Sequence, residues 1–326
     1  MKHLFLALAL LFGLSSGGMP QDDDRGYLTK TLEEALGGAG RDVRINGFRG
    51  VLTSEASFDS LTIADDKGIW LTLTDVVLDW RRAALLRGRV EVDALTAKSL
   101  KLERLPESEK DAVPAAEASG FSLPELPVSI EIKDFKIDDI YLGPTLLGEE
   151  VNLKVEASAL LEGGSLETDI LAERIDQKLG KFVIKGKFDQ SSEALSVDMS
   201  MAEDAGGIAA RLLNLPGEPE IDLSIKGEGP LSDFVAQVAL SSGGAPRVSG
   251  TVELSAEPVE QGATAPSRRI QTDLSGDIAA LLAPRYQPFF GEDIALRLDA
   301  TLPADGGVDV DKFDLKAQQA NLSGVK

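Results

Sequence analysis

One property limits this chain more than any other: apolar and polar residues alternate in short runs over most of its length. Val151, Leu153, Val155, Ala157 and Ala159 alternate with Asn152, Lys154, Glu156 and Ser158. Leu195, Val197, Met199 and Met201 repeat the pattern, as do Ile221, Leu223 and Ile225. So do Phe234, Ala236, Val238 and Leu240; Val252, Leu254 and Ala256; and Ile294, Leu296, Leu298 and Ala300. A period of two places successive side chains on opposite faces of a strand. Turn residues separate the runs at Glu162-Gly-Gly-Ser165, Gly217-Glu-Pro219, Ser242-Gly-Gly244 and Asp305-Gly-Gly307. The expected fold is mostly β, an antiparallel array with one apolar and one polar face.

The same pattern governs Arg41 to Ala97. Gly47-Phe-Arg-Gly50 breaks the chain before Val51, and Ala64-Asp-Asp-Lys-Gly68 predicts a hairpin turn. Ile69, Leu71 and Leu73 alternate with Trp70, Thr72 and Thr74, and Val76 to Trp80 continues the strand. Arg81 to Arg87 fits one or two helical turns closed by Gly88, and Val90 and Val92 open the next strand. Further on, Val128, Ile130 and Ile132 alternate until Asp134 shifts the register before Phe135 and Ile137.

In that order and close together, GFRGVL, LTIADDKGIWLTL, VVLDW and ALLRGRVEV resemble the N-terminal region of the TamB family of translocation and assembly module proteins, within the AsmA-like, bridge-like lipid-transfer class. The resemblance covers Asp22 to about Ala97 well and the later repeats loosely. It implies a long β-repeat sheet curved into a hydrophobic groove (β-taco-like). It also implies two linked roles: assisting outer-membrane protein assembly and secretion with the outer-membrane barrel partner TamA, and phospholipid transport between inner and outer membranes. The chain ends at Lys326 without the family's C-terminal domain, so a C-terminally incomplete fragment is expected, with the TamA contact made by a region absent here.

Residues 1–18 read as a targeting segment: Lys2 and His3 form a positive n-region, Leu4 to Leu14 an apolar run, and Ser15-Ser-Gly-Gly18 a small-residue c-region. At ~1.5 Å rise per residue that run is too short for a hydrocarbon core ~30 Å thick. A cleaved signal peptide is expected; a short signal anchor at the inner membrane is the alternative. Either way the rest of the chain is exported, and a periplasmic, inner-membrane-associated location in a bacterial envelope follows from the resemblance.

Residues 19–105 form the expected N-terminal cap and first β-unit, with a short amphipathic helix at Gly26 to Leu36 suited to covering an open strand edge. Residues 106–124, with their Pro, Ala, Ser and acidic composition, read as a linker or long loop, and 125–326 as the β-repeat groove region. Gly207 to Leu215 and Asp277 to Ala283 predict helical interruptions, each stopped by a proline. The phrases around them suggest an irregular internal repeat, strand to glycine to short helix or turn.

A net charge of −21 argues against nucleic acid and against broad contact with anionic lipid. The local exception is Arg81, Arg82, Arg87 and Arg89, read as solvated charges flanking a helix. The chain has no cysteine, and its one histidine is His3. That excludes a Cys nucleophile, a Ser-His-Asp triad and Cys/His zinc sites in the exported part. Asp65-Asp66 and Glu149-Glu150 are ordinary solvated acids, and no GxGxxG, Walker A or GxSxG pattern occurs. No catalytic, metal or cofactor residue is assigned and no cofactor is expected.

What remains is the apolar side of the array, assigned to Val151, Leu153, Val155, Leu195, Val197, Ile221, Leu223, Ile225, Leu296 and Leu298. Periodicity leaves two covers open: a second sheet at about 10 Å, making an acidic secreted sandwich module, or phospholipid acyl chains in an open groove. The resemblance favours the groove.

Overall fold

The computed structural model describes Lys30, Glu33 and residues 42–50, 53–106, 128–257, 267–303, 307–319 and 321–325. The targeting segment, most of the expected 26–36 helix and residues 107–124 of the expected linker lie outside them. The strands are β1 (Asp42–Asn46), β2 (Glu55–Asp65), β3 (Gly68–Trp80), β4 (Arg89–Leu102), β5 (Ser129–Leu142), β6 (Val151–Glu162), β7 (Ser165–Arg174) and β8 (Gly180–Asp189). They continue as β9 (Ala194–Glu203), β10 (Ile221–Pro230), β11 (Asp233–Ser242), β12 (Ala245–Ala256), β13 (Arg268–Gly276), β14 (Ile294–Leu302), β15 (Asp309–Lys316) and β16 (Asn321–Val325). Among the described residues four helices can be given bounds, each about one turn: α1 (Arg82–Leu85), α2 (Pro144–Leu147), α3 (Ile208–Leu212) and α4 (Gln287–Phe290). All sixteen strands belong to one sheet whose hydrogen-bonded order is the chain order. The chain is therefore mostly β with a few short helices, as its alternation predicts.

Two compact units divide the chain. The first carries β1 to β6 together with Arg174–Asp176, and the second carries most of β7 and all of β8 to β16. The division falls at Glu162/Gly163, after β6, whereas composition breaks at 106–124. The reason is a pairing that composition does not display. β4 and β5 run parallel, from Arg89 opposite Ser129 to Leu102 opposite Leu142. That one pair corrects the expectation of an antiparallel array throughout, because period-two alternation looks the same in both ladders. Parallel neighbours need a connection of a dozen or more residues, and 103–128 supply it. β4 and β5, which flank that acidic, proline-containing stretch in the sequence, both belong to the first unit.

In the first unit the strands share an irregularity. Phe58 and Leu61, Leu73 and Val76, Ala97 and Leu100, and Ile137 and Ile140 each stand three apart, yet Phe58, Val76, Ala97 and Ile137 lie opposite one another, as do Leu61, Leu73, Leu100 and Ile140. A strict strand would send i and i+3 to opposite faces. Here Asp75 adopts φ +49°, and on β6 the partners are Val155 and Leu153, with a register shift that absorbs the extra residue. A second shift between Ile132 and Phe135 is the one Asp134 announced. Such bulges turn side chains toward a common core. Val76, Ala97 and Ile137 are buried there beneath Phe58, Leu73, Leu95, Leu100, Phe135 and Ile140. Trp80, Val90 and Val92 form a second cluster with Leu78, Leu85 and Ile132.

The first unit also shows how an edge strand is protected. On β1, the Ile45 N–H donates to the Glu33 carboxylate at 2.7 Å, and Glu33 lies in helical backbone. An outward-facing edge donor is thereby satisfied by a side chain instead of a further strand.

In the second unit β7 to β16 pair antiparallel with their chain neighbours. Gly243 and Gly244 join β11 to β12 with φ +61° and +70°, the two positive values that a type I′ hairpin requires. Gly207 to Leu215 gives α3, as expected. Asp277 to Ala283 departs from expectation: it holds only a 3-10 turn at Ala279–Leu281, and the helical turn comes later, at α4. Asp277 Oδ1 accepts the Ala279 N–H at 3.0 Å, a local bond that tightens the backbone and competes with a full helix.

Candidate functional site

The candidate site is the apolar face of the strands, and the pairings build it row by row. In the second unit, Ile170, Ile184, Met199, Ile225 and Val238 are successive cross-strand partners. Beyond them the row runs through Gly250, Leu274, Leu296 and Leu315. One step along each strand, Val197, Gly227, Ala236, Val252, Thr272 and Leu298 form the next row. A third has Phe188, Leu195 and Gly229 opposite one another on β8 to β10 and Phe234, Leu254, Ile270 and Ala300 on β11 to β14. An apolar surface several strands wide follows from the register alone.

Burial along this surface is uneven. At one end Ile221 is 2% exposed and Ser242 is buried beside it, where α3 joins β9 to β10 and buries Ala210. Glu203 fixes that turn to the sheet: its carboxylate accepts the Ile208 N–H at 2.9 Å and the Ala209 N–H at 2.7 Å. At the other end Phe188, Phe234 and Ala300 are buried. The Phe234 ring lies over Gly227, where an added Cβ would come within 2.5 Å of its Cζ. Between these ends Ile184, Val197, Met199, Leu223, Ile225 and Val238 remain half-buried. A sandwich core would bury this middle band under a second sheet, and the described strands form only one sheet.

The sequence-predicted residues fall as follows. Leu195, Val197, Ile221, Leu223, Ile225, Leu296 and Leu298 share this face of the second unit, Ile221 at its buried end and the others along its half-buried part. Val151, Leu153 and Val155 belong to the first unit, opposite Leu142, Ile140 and Ile137; Val151 is buried and the other two half-buried. β7 and β8, outside the sequence-assigned set, also contribute Ile170, Phe182 and Ile184. Their signal is the alternation of Leu166, Thr168, Ile170 and Ala172, and of Phe182, Ile184 and Phe188 among Lys181, Lys185 and Lys187, but Thr168 and Gly186 interrupt it with residues that are not apolar.

The opposite face is charged and internally neutralised. Lys185 meets Asp169 at 3.0 Å, Lys187 meets Glu167 at 2.8 Å, Lys226 meets Asp198 at 3.0 Å and Arg297 meets Asp273 at 3.0 Å. A shallow concavity lined by Thr251, Glu253, Gln271, Asp273, Arg297, Asp299 and Lys312 lies among these ladders. Its Asp299 is held below the usual carboxylate range chiefly by hydrogen bonds from Arg269. Arg297 pairs with Asp273 across it, and Lys312 with Asp314 at 2.9 Å. In the first unit, the Arg174 side chain is 1% exposed and donates to Asp176 at 2.7 Å and Glu149 at 3.4 Å. Burial opposes its charge, but the hydrogen bonds and negative charges of Asp176 and Glu149 together outweigh it, leaving the guanidinium more basic than usual. This fork ties Asp176 and Glu149 together through a buried Arg174, a structural three-group cluster.

Among the described residues no three His, Cys, Asp or Glu side chains are grouped to hold a metal ion, and no helix is long and apolar enough to cross a membrane. The arrangement offers a two-faced sheet: a charged, self-paired side and an apolar side that is closed at its ends and accessible between them. No family model matches this chain, and neither a curated protein nor a solved structure gives a significant match.

Proposed function

We propose that this chain is a non-enzymatic cell-envelope protein that holds phospholipid acyl chains against the apolar faces of its sheet. One observation carries the reading: the middle band of the second unit's apolar face, around Met199, Leu223 and Ile225, is half-exposed with no second sheet among the described strands to cover it. Apolar surface of this extent left partly in water marks a binding surface. Its aliphatic and methionine lining suits flexible acyl chains, which need area and adaptability more than directed hydrogen bonds. The charged face, neutralised by its own ladders, keeps the other side in water.

The finer reading follows the TamB resemblance of residues 22–97: export to the periplasm, attachment near the inner membrane, phospholipid movement between the two membranes, and assistance to outer-membrane protein assembly with the barrel partner TamA. What supports it is the fit between an apolar, single-sheet face and that class of carrier. The test is a mass-spectrometric lipid inventory of the purified chain, followed by uptake of a fluorescent phospholipid. Co-purifying diacyl lipid and saturable uptake are expected. A lipid-free protein that takes up none overturns the proposal.

A further inference from the structure

The turn between β3 and β4 has properties that neither the core nor the apolar face requires. It contains the four arginines that break the acidic character of the chain, and the structure sorts them into two pairs. Arg81 donates to Asp93 at 2.7 Å and lies 3.7 Å from Glu91. Arg89 pairs with Glu162 and lies 3.8 Å from Glu91. Arg82 and Arg87 are exposed and make no ion pair among the described residues. Between them the backbone alternates anchor and projection. Ala84 is fully buried and Leu85 packs on the Trp80, Val90 and Val92 cluster, while Leu86 is 93% exposed, more than any other large apolar side chain described. The turn is closed by Arg87 N–H to Ala84 O and Gly88 N–H to Leu85 O, both 2.9 Å, and Gly88 reverses the chain at φ +69°.

The base of this tip is fixed in the core, and its end presents one leucine flanked by two exposed guanidiniums. Water gives no reason to hold a leucine there. A boundary between anionic headgroups and acyl chains does: the leucine enters the apolar side, and planar guanidiniums fork onto phosphate oxygens. With a net charge of −21 the rest of the chain is repelled by such a surface, so a small basic tip is the part able to approach it, and contact at one tip would orient the sheet. We propose that the α1 tip docks on an anionic membrane surface, with Leu86 inserted and Arg82 and Arg87 on headgroup phosphates. This goes beyond the acyl-chain reading and does not depend on it, since the tip belongs to the first unit and touches headgroups.

The chain has no cysteine, so Leu86→Cys gives a unique site for an environment-sensitive fluorophore on the full chain. Asp66→Cys, in the turn at the opposite end of β3, serves as the reference position. Vesicles of phosphatidylcholine with about one-third phosphatidylglycerol should blue-shift the probe at 86 and leave the probe at 66 unchanged, while pure phosphatidylcholine vesicles should shift neither. Adding Arg82→Glu and Arg87→Glu to the Leu86→Cys chain should weaken the vesicle response at least about tenfold, and 0.5 M salt should weaken it comparably. Both arginines are exposed, so unchanged circular dichroism is expected and checks the fold. Three results overturn the proposal: no shift at 86 with anionic vesicles, an equal shift with neutral ones, or an undiminished response in the double charge reversal. A shift at 86 on adding a soluble acidic protein, with none on vesicles, would likewise overturn it and assign the tip to a protein partner. Failure here leaves lipid uptake by the apolar face untouched, and the two assays separate the two proposals.

Discussion

The first and second units put the same two-faced strand to different ends. In the first, bulges at Asp75 and around Asp134 and Asp138 bring side chains three apart onto one side, and large residues, Trp80, Phe58 and Phe135 among them, fill the space they share. In the second, β7 to β11 pair with little irregularity, a single shift between Leu240 and Ser241 on β11. Their middle rows carry Gly186, Val197, Gly227 and Ala236, too small to build a thick layer. The first face buries Val76, Ala97 and Ile137 within a cluster of larger side chains; the second is buried at its ends and half-exposed along its middle. Alternation decides which residues share a face, whereas residue size and strand irregularity decide whether that face needs a partner.

The comparison is broken most directly by substitution in the closed clusters. Trp80→Ala removes the largest member of a packed group whose neighbours Val90 and Val92 are buried. It is expected to cost about 3–5 kcal/mol of stability, the range for large aromatic truncations in cores. Urea denaturation followed by circular dichroism measures it. A loss below about 1 kcal/mol would show that the first unit has no closed core and remove the contrast.

A smaller loss of stability and a larger loss of function are expected from Leu223→Asp. Leu223 is half-buried, opposite Met201 and Leu240 in the open band. Its carboxylate remains hydrated when no lipid is bound, so the cost should stay below about 2 kcal/mol, whereas a buried unpaired charge would unfold a marginal domain. Fluorescent phospholipid uptake should fall sharply in the same folded protein. A destabilisation matching Trp80→Ala would mean that the face is covered.

Much of this was legible in the sequence. Runs such as Ile221 to Ile225 place their residues on one face whatever the partner strand, so face membership follows from period alone. Asp134 gave away its bulge because it stands between two apolar runs of opposite parity. The parallel pairing of β4 and β5 was not legible, because a strand's pattern does not record its neighbour's direction. Nor was the place of Gly186 and Thr168 in the apolar rows, since hydropathy counts them as breaks where the ladder needs only small volume. The division of Arg81 and Arg89 from Arg82 and Arg87 rested on acids such as Asp93 and Glu162, which only the fold brings near.

Glycines in the row beside the buried end of the second face give a finer test of how little space is left there. At Gly227 an added Cβ would lie 2.5 Å from Phe234 Cζ and 2.9 Å from Val235 O, so Gly227→Ala must displace the ring. About 1–2 kcal/mol of destabilisation is expected from that overpacking. At Gly186, in the same row, the nearest atom is Thr168 Cγ2 at 3.4 Å. Gly186→Ala should therefore be neutral or stabilising by up to about 0.5 kcal/mol, through reduced freedom of the unfolded chain. Paired thermal melts give the difference; equal effects at both positions would show that Phe234 does not close that end of the face.

The smallest effect separates the units by the origin of their acid sensitivity. In the first, Asp93 is held below the usual carboxylate range by hydrogen bonds from Lys133 and Arg81. In the second, Asp189 is lowered still further, first by the Ser165 hydroxyl at 2.6 Å, then by Ser191 and Ser192, with no cation involved. Both pKa values are lower folded than unfolded, so each contribution is complete above the unfolded value near ~3.9 and fades as pH falls below it. Salt distinguishes them: it screens the exposed charged pairs at Asp93 and leaves the hydroxyl and backbone donors at Asp189 in place. Asp93→Asn should flatten the acid limb of the stability curve at low salt and do so far less in 1 M salt. Asp189→Asn should flatten it equally at both. Denaturation midpoints of the two variants between pH 2 and 7, at each salt concentration, measure this directly. If salt removes the Asp189 effect as well, its lowering comes from charge after all, and the two units hold their exposed carboxylates in the same way.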